Sequence, residues 1–160
     1  MNPEETATVG AFLDSYSTLT LATHGPDGPW AATVFFARDA ALNLYFISSR
    51  TTRHARDLLA NPEVAATVNA DLDDWEAIRG LQIAARAEPV AADHRAAATT
   101  LYLEKFPAVA RIMEAPQSGS EVKIAKGFAA SDFFCLRPRT IRLVDNTQGF
   151  GHKREFRLRP

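Results

Sequence analysis

Val9, Phe12, Leu13 and Tyr16 recur at i, i+3, i+4 and i+7, the spacing of one helical face. Residues 4–16 are therefore expected to form a short amphipathic helix with acids in its first turn. The period then drops to two. STLTLAT (17–23) and WAATVFFA (30–37) are β-rich runs, joined by HGPDG (24–28), whose Gly and Pro suit a hairpin turn. RDAALN supplies the next turn. LNLYFISS (42–49) alternates so that Leu42, Leu44, Phe46 and Ser48 share one face, opposite Tyr45 and Ile47.

A helix interrupts the strands at 52–60, with Ala55, Leu58 and Leu59 as its expected buried stripe, until Asn61 and Pro62 stop it. VAATVN (64–69) predicts a fourth strand, ADLDDWEA (70–77) an acidic loop, and IRGLQIAARAEPV (78–90) a long fifth strand that Gly80 can bend and Pro89 ends. Over 92–114 the period is helical again. Ala96, Thr99, Thr100, Leu103 and Phe106 mark one face, and Pro107 divides the segment into two short helices, the second carrying Val109, Ile112 and Met113. APQSGSEVKIAKGFAAS (115–131) reads as a loop or partial helix, and FFCLRP, TIRLVDN and REFRLRP as three further strands. Six to eight short strands with few helices favour a mainly β (α+β) antiparallel barrel over a doubly wound sheet. At 160 residues the chain suits one domain, 1–160.

Composition adds little: 46% hydrophobic and 23% charged residues with a net charge of -1 give no electrostatic reason to seek nucleic acid or a membrane. The distribution of charge says more. Of 18 Lys and Arg residues, 7 fall within 137–160, opposed only by Asp145 and Glu155, so this tail is expected to meet an anion or an acidic neighbour. A single cysteine, Cys135, excludes an intrachain disulfide and makes a cytoplasmic protein the default. The acidic N-terminus lacks the bases of a signal peptide, and no apolar run reaches membrane-spanning length.

Candidate chemistry concentrates in SSRTTRHARDLL (48–59). A helix start is already electropositive, yet Arg53, His54 and Arg56 stand in its first turn. Thr51 or Thr52 can cap the helix, leaving free N–H groups beside Ser48, Ser49, Arg53 and His54, as a phosphate site requires. The competing reading is a solvated basic face. His24, His54, His94 and His152 are scattered without ligand spacing, so no metal site is expected. Cys135 sits mid-strand as a core filler, and the acidic loop lacks the Gly and Glu spacing of a calcium loop. In DNTQGFGHKREF (145–156), Gly149 and Gly151 flank Phe150, which suits either close approach to a partner or a sharp turn with an exposed aromatic. There is no GxGxxG after a strand, no GxxxxGK[ST] and no Ser-His-Asp set. Only Phe150 and Phe156 interleave with the basic tail, too few for a single-stranded nucleic acid platform.

In this order, TLTLAT, AATVFFA, LYFISS, TTRHARDL, PEVAATVN and IRGLQIAARAE resemble the FMN-binding split barrels related to pyridoxamine 5'-phosphate oxidase. Within them the chain is most similar to the YhbP-like branch, through TRHA, TVN, IRGxQ, the segment Phe106–Arg111 and the closing DNTxGFGxK, over roughly 17–153. The resemblance implies a homodimer with two FMN molecules between subunits. It implies that Ser48, Ser49, Thr52, Arg53 and His54 grip the 5'-phosphate, with His54 where relatives often carry Lys. It implies further that Thr33, Val34, Phe35 and Phe36 pass along the isoalloxazine, that Gly80 and Gln82 contact the ring, and that Asn146, Gly149 and Phe150 come from the partner subunit. Where pyridoxamine phosphate oxidase has Arg and Lys flanking the ring-contacting strand, this chain has Ala32 and Ala37, so that oxidation is not implied. The expected activity is hydride transfer at the flavin between a reduced donor such as NAD(P)H and a small acceptor, with no catalytic side chain, because the cofactor carries the chemistry. A non-catalytic flavin sensor, or a barrel holding haem or the deazaflavin F420, are the alternatives.

Overall fold

The computed structural model describes residues 1–158; the end of the predicted REFRLRP run, residues 159 and 160, lies outside them. Seven antiparallel strands among the described residues build one sheet: β1 (Thr18–Gly25), β2 (Gly28–Arg38), β3 (Leu44–Ser48), β4 (Glu63–Asn69), β5 (Arg79–Pro89), β6 (Asp132–Asp145) and β7 (Lys153–Arg157). Their order is β3-β2-β1-β4-β5-β6-β7, and an additional β3–β6 pairing closes six of them into a barrel. β6 makes this possible by serving two partners along one edge. Its first half pairs with β3, from Leu44–Leu136 to Ser48–Asp132, and its second half pairs with β7, from Thr140–Arg157 to Val144–Lys153. The fold is a split barrel.

The sequence divides β6 into FFCLRP and TIRLVDN, but the strand is continuous. The apparent break is a register shift, in which Ala84 opposes Thr140 and Ala85 opposes Pro138, leaving Arg139 without an opposite residue. A bulge tolerates Pro138, which has no N–H for the ladder. The irregularity of β5 therefore falls at Ala84/Ala85 and not at Gly80, which pairs regularly with Asn69 and Val144.

Alternation along the strands fills the barrel with Leu19, Leu21, Phe36, Leu44, Phe46, Leu81, Phe134 and Ile141. Phe46 and Phe134 stack across the closing pair, with ring centroids 5.4 Å apart. Helix α1 (Pro3–Asp14) starts on a capping box between Asn2 and Glu5 and adds Val9, Phe12 and Leu13 to the core. Helix α2 (Arg53–Ala60) departs from the expected stripe: Ala55 and Leu58 are buried, Leu59 is 49% exposed, and Asp57 is buried at 3%. Asp57 is held there by a hydrogen bond from Thr23 Oγ1 (2.8 Å). The absence of a side chain at Gly25 makes room, since a Cβ there would lie 2.0 Å from Asp57 Oδ1.

A second apolar cluster covers the outer face of β3 and β6. Helix α3 (Arg95–Lys105) buries Ala98 and Tyr102, while Ala96 and Thr100 of the expected face are exposed. The helix is rotated because Tyr102 has more apolar area to bury, against Phe106, Phe128 and Phe133. Helix α4 (Pro107–Glu114) begins at the expected Pro107. Helix α5 (Gly119–Ala130) occupies the segment read as a loop or partial helix; Ser118 caps it by accepting from Glu121 N (3.2 Å), and Phe128 anchors it in the cluster. Among the described residues no helix is long and apolar enough to cross a membrane.

Lys105 ties α3 to the end of α1: its Nζ donates to Tyr16 O (2.7 Å) and lies 4.0 Å from the Phe36 ring centroid. Burial pushes its pKa down to about 8; nearby Asp14 opposes the shift and Arg38 reinforces it. Between pH 8 and pH 10.5 the folded chain has released a proton that the unfolded chain retains, so stability rises with pH across that window. Urea unfolding at the two ends of the window should show this rise in the wild type and a flatter profile in Lys105→Met; equal slopes would contradict the assignment.

Candidate functional site

The end of β3 and the start of α2 bring three polar side chains together. Ser48 Oγ lies 2.8 Å from His54 Nε2 and 3.0 Å from Thr52 Oγ1, and Thr52 Oγ1 lies 3.3 Å from the same imidazole nitrogen. Thr52 is the N-cap, accepting from Ala55 N (3.3 Å), and Ser49 shares a hydrogen bond with Thr51 (2.9 Å). Burial holds the His54 pKa below its usual value, against the opposing charge of Asp57. The imidazole is therefore neutral at pH 7 and shares one hydrogen bond with Ser48.

Arg53 is not a free surface cation. Its Nη2 donates to Asp27 O in the β1–β2 turn (2.8 Å), and its guanidinium carbon lies 4.5 Å from the centroid of the Trp30 ring. Among the described residues its Nε is buried without a hydrogen-bond partner. An unpaired buried N–H costs about 1–3 kcal/mol, so the Arg53 guanidinium, one residue from this cluster, is left short of an acceptor. Hydroxyls, an imidazole, an orphaned guanidinium N–H and a helix N-terminus together fit a phosphate group. The solvated-face reading holds for Arg56, which is exposed, and not for Arg53 or His54.

The Arg53–Trp30 stack also sets this cluster beside β2. β2 is 11 residues long, but β3 covers only Phe36–Arg38 of it, so one edge from Gly28 to Phe35 has no strand partner among the described residues. Phe36 N donates to Ser17 O (3.0 Å), and backbone groups alternate along a strand. Val34 and Phe36 therefore direct their backbone toward β1 and their side chains into the core, whereas Thr33 and Phe35 present N–H and C=O on the free edge. Phe35 is 56% exposed and packs edge-on against Phe106.

The remaining predicted residues are elsewhere. Thr33, Thr20, Thr67 and Gln82 are cross-strand neighbours in one row, so Gln82 is three strand spacings from Thr33, roughly 14 Å along the sheet. Gly80 and Gln82 line a cleft of 460 Å³ with Leu72 and Ile78. Asn146 closes that end by donating from its side chain to Trp75 O (2.7 Å) and accepting from Gly151 N (3.0 Å). Gly149 and Gly151 both have positive φ, 122° and 76°, and the turn they make leaves Phe150 76% exposed. One chain thus carries a phosphate-like cradle and a separate cleft of mixed polarity, joined by an exposed outer sheet row of Ala22, Ala31, Ala65 and Ala84. Trp30, Asp27 and Asp57 are absent from the residues read from the sequence; only the folded hairpin brings Trp30 and Asp27 to Arg53, and an acid in an anion site has no local signature.

Comparison with known proteins agrees with this architecture. The family model described as pyridoxamine 5'-phosphate oxidase matches residues 6–145. The UPF0306 protein of Klebsiella pneumoniae (strain 342) is 29% identical over 155 residues, covering 96% of this chain and 94% of its own length. Among solved structures, a heme binding protein from Mycobacterium smegmatis superposes with a TM-score of 0.73 at 22% identity, over 98% of this chain and 59% of that one. A putative pyridoxamine 5'-phosphate oxidase from Listeria innocua superposes with a TM-score of 0.65 at 15% identity, over 88% of this chain and 98% of that one. A single sheet closed through β3–β6 and a family match running from α1 to the end of β6 lead to one conclusion: the chain belongs to the pyridoxamine 5'-phosphate oxidase family.

Proposed function

We propose that this protein binds FMN between two copies of the chain and acts as an oxidoreductase, passing hydride equivalents from a reduced donor to a small acceptor. The observation that carries the reading is the convergence of Ser48, Thr52 and His54 at the N-terminus of α2, next to Arg53, whose guanidinium lies over Trp30 at the head of the unpaired edge of β2 and whose Nε has no partner among the described residues. Ser48, Thr52, His54 and Arg53 would hold the phosphate, with Ser49 at the rim, and the free backbone groups of Thr33 and Phe35 would face the ring. Bound FMN would supply hydride transfer; the residues of this chain bind and orient it. Gln82 lies three strand spacings from Thr33, and Gly80, Asn146, Gly149 and Phe150 stand with it at the far end of the sheet from Arg53; a second subunit would bring that end to the ring. The exposed alanine-rich face, flanked by Phe35, Trp75 and Phe150, is suited to covering by such a copy.

Oxidation of pyridoxamine phosphate is not proposed. Ala37, at the position of the family's lysine, is buried in the aromatic cluster and offers no group to a substrate. Haem is the second reading, favoured by the structural likeness to the Mycobacterium smegmatis protein; a Soret band instead of flavin bands in the freshly isolated protein would establish it. F420 would need a free basic groove for its anionic tail, whereas Arg137, Arg139, Arg142 and Arg154 are paired with Glu88, Glu63, Glu155 and Glu5.

Adding FMN to the purified protein should give a yellow complex, and Arg53→Ala should weaken binding by about tenfold or more. No complex, or an unchanged affinity in the variant, would overturn the reading. Mixing the complex with NADH or NADPH without air should bleach the flavin absorbance; an unbleached complex would make this a flavin-binding or sensing protein instead.

The phosphate should raise the depressed His54 pKa as it binds, so that binding takes up a proton. Between pH 6 and pH 8.5 wild-type affinity should therefore fall relative to His54→Gln, which isolates the imidazole from the titration of the phosphate itself. Parallel pH profiles would remove His54 from the phosphate ligands.

A further inference from the structure

Helix α2 carries a polar stripe where it meets the β1–β2 hairpin. Arg53, Asp57 and Asn61 recur at i, i+4 and i+8, and each reaches that hairpin. Arg53 Nη2 donates to Asp27 O (2.8 Å), Thr23 Oγ1 donates to Asp57 Oδ2 (2.8 Å), and Asn61 Nδ2 donates to His24 O (3.2 Å). Arg53 and Asn61 stand at the two ends of the helix, where polar contacts are ordinary. Asp57 does not.

Asp57 and Thr23 are each 3% exposed, and among the described residues the Thr23 hydroxyl is the only group that donates to this carboxylate. Taking a carboxylate out of water is costly unless a countercharge or several donors replace its hydration. The fold yields to it at Gly25, where any side chain would run into the carboxylate. Asparagine has the same shape and can also accept from Thr23, so neither packing nor the hydrogen bond calls for a charge here.

A neighbouring cation does. His54 precedes Asp57 by three residues and Arg53 by four, the separations that make side chains neighbours on a helix surface. The charge of Asp57 raises the proton affinity of His54, against the burial that lowers it. The other charged groups on α2 and on the elements packed against it are solvated or paired. His24, Asp27 and Arg56 are exposed, Arg38 of β2 is held by Asp14, and Arg86 and Glu88 of β5 bind each other. Asp132, opposite Ser48, is held by Arg50 and Arg95. Asp145, the other buried acid among the described residues, lies at the Gly80 end of the sheet.

We propose that Asp57 is a positioning residue of the phosphate cradle that acts through His54: its buried carboxylate is the countercharge against which the imidazole becomes an imidazolium as an anion enters. The proposal rests on the phosphate reading of the cradle, and it gives Asp57 no contact with the ligand.

The ligand-free chain tests the charge by itself. The imidazole proton resonances of His54, identified by their loss in His54→Gln, are followed through a pH titration in the wild type, Asp57→Asn and Thr23→Val. Asp57→Asn should lower the His54 midpoint by about half a pH unit or more. Thr23→Val removes the hydrogen bond but keeps the charge, so it should lower the melting temperature and leave the midpoint at the wild-type value. The same proteins are then titrated with FMN at pH 6 and pH 8.5. The fall in affinity between those pH values should be about twofold smaller in Asp57→Asn than in the wild type, approaching that of His54→Gln, and unchanged in Thr23→Val. A His54 midpoint unmoved in Asp57→Asn, or moved as far in Thr23→Val, would overturn the proposal and leave Asp57 a packing residue. So would parallel FMN profiles in Asp57→Asn and the wild type. Failure of the wild type to bind FMN, with the midpoint lowered in Asp57→Asn, would sink the flavin reading and leave the coupling of Asp57 to His54 standing.

Discussion

The pairing of β3 with the first half of β6 sets the geometry of everything around it. It closes the barrel, buries the Phe46–Phe134 stack, and fixes Ser48 opposite Asp132 at the barrel's rim. Because β3 spans only Leu44–Ser48, it covers only the last residues of β2 and leaves the remaining edge without a partner. An unpaired strand edge presents backbone donors and acceptors in fixed rows. Here the row begins beside Trp30, under the guanidinium of Arg53, so barrel closure delivers a helix N-terminus and a free strand edge to the same place.

The charges near that N-terminus do not match a structural optimum. Cationic first-turn residues oppose the helix dipole by about 0.3–1 kcal/mol each. Arg53 is restrained by the Asp27 carbonyl and the Trp30 face, yet its Nε remains unpaired. Asp57 lies one turn further on, buried beneath the helix and bonded to Thr23, where its negative charge partly offsets the desolvation of His54. Structures retain such local conflicts where binding resolves them.

Elements with strong alternation or helical spacing were legible in the sequence: β1 to β5, α1, α2 and the break at Pro107 follow from their own residues. The failures have tertiary causes. β6 read as two strands because Pro138 looks like a terminator until the Ala84/Ala85 register shift accommodates it. α5 lacks a continuous apolar stripe and depends on one cap and on Phe128 meeting Tyr102 and Phe133. The α3 face was misplaced because the pull of Tyr102 toward the β6 surface is invisible locally. For the site, the grouping of Ser48, Thr52, Arg53 and His54 was legible because all lie within seven residues of one another. The Trp30 stack, the Asp57 anchor and the separation of Gln82 from Thr33 depend on strand order, which the periodicity of single segments does not reveal.

Under the proposed function, the cradle of one chain and the Gly80–Gln82 cleft of a second would meet one flavin. Native mass spectrometry of the FMN-loaded protein measures this directly. The predicted species is twice the 17.5 kDa chain mass plus two FMN molecules, losing flavin and dimer together in Arg53→Ala combined with removal of the Phe150 side chain. A monomer that carries one FMN with full affinity would contradict it.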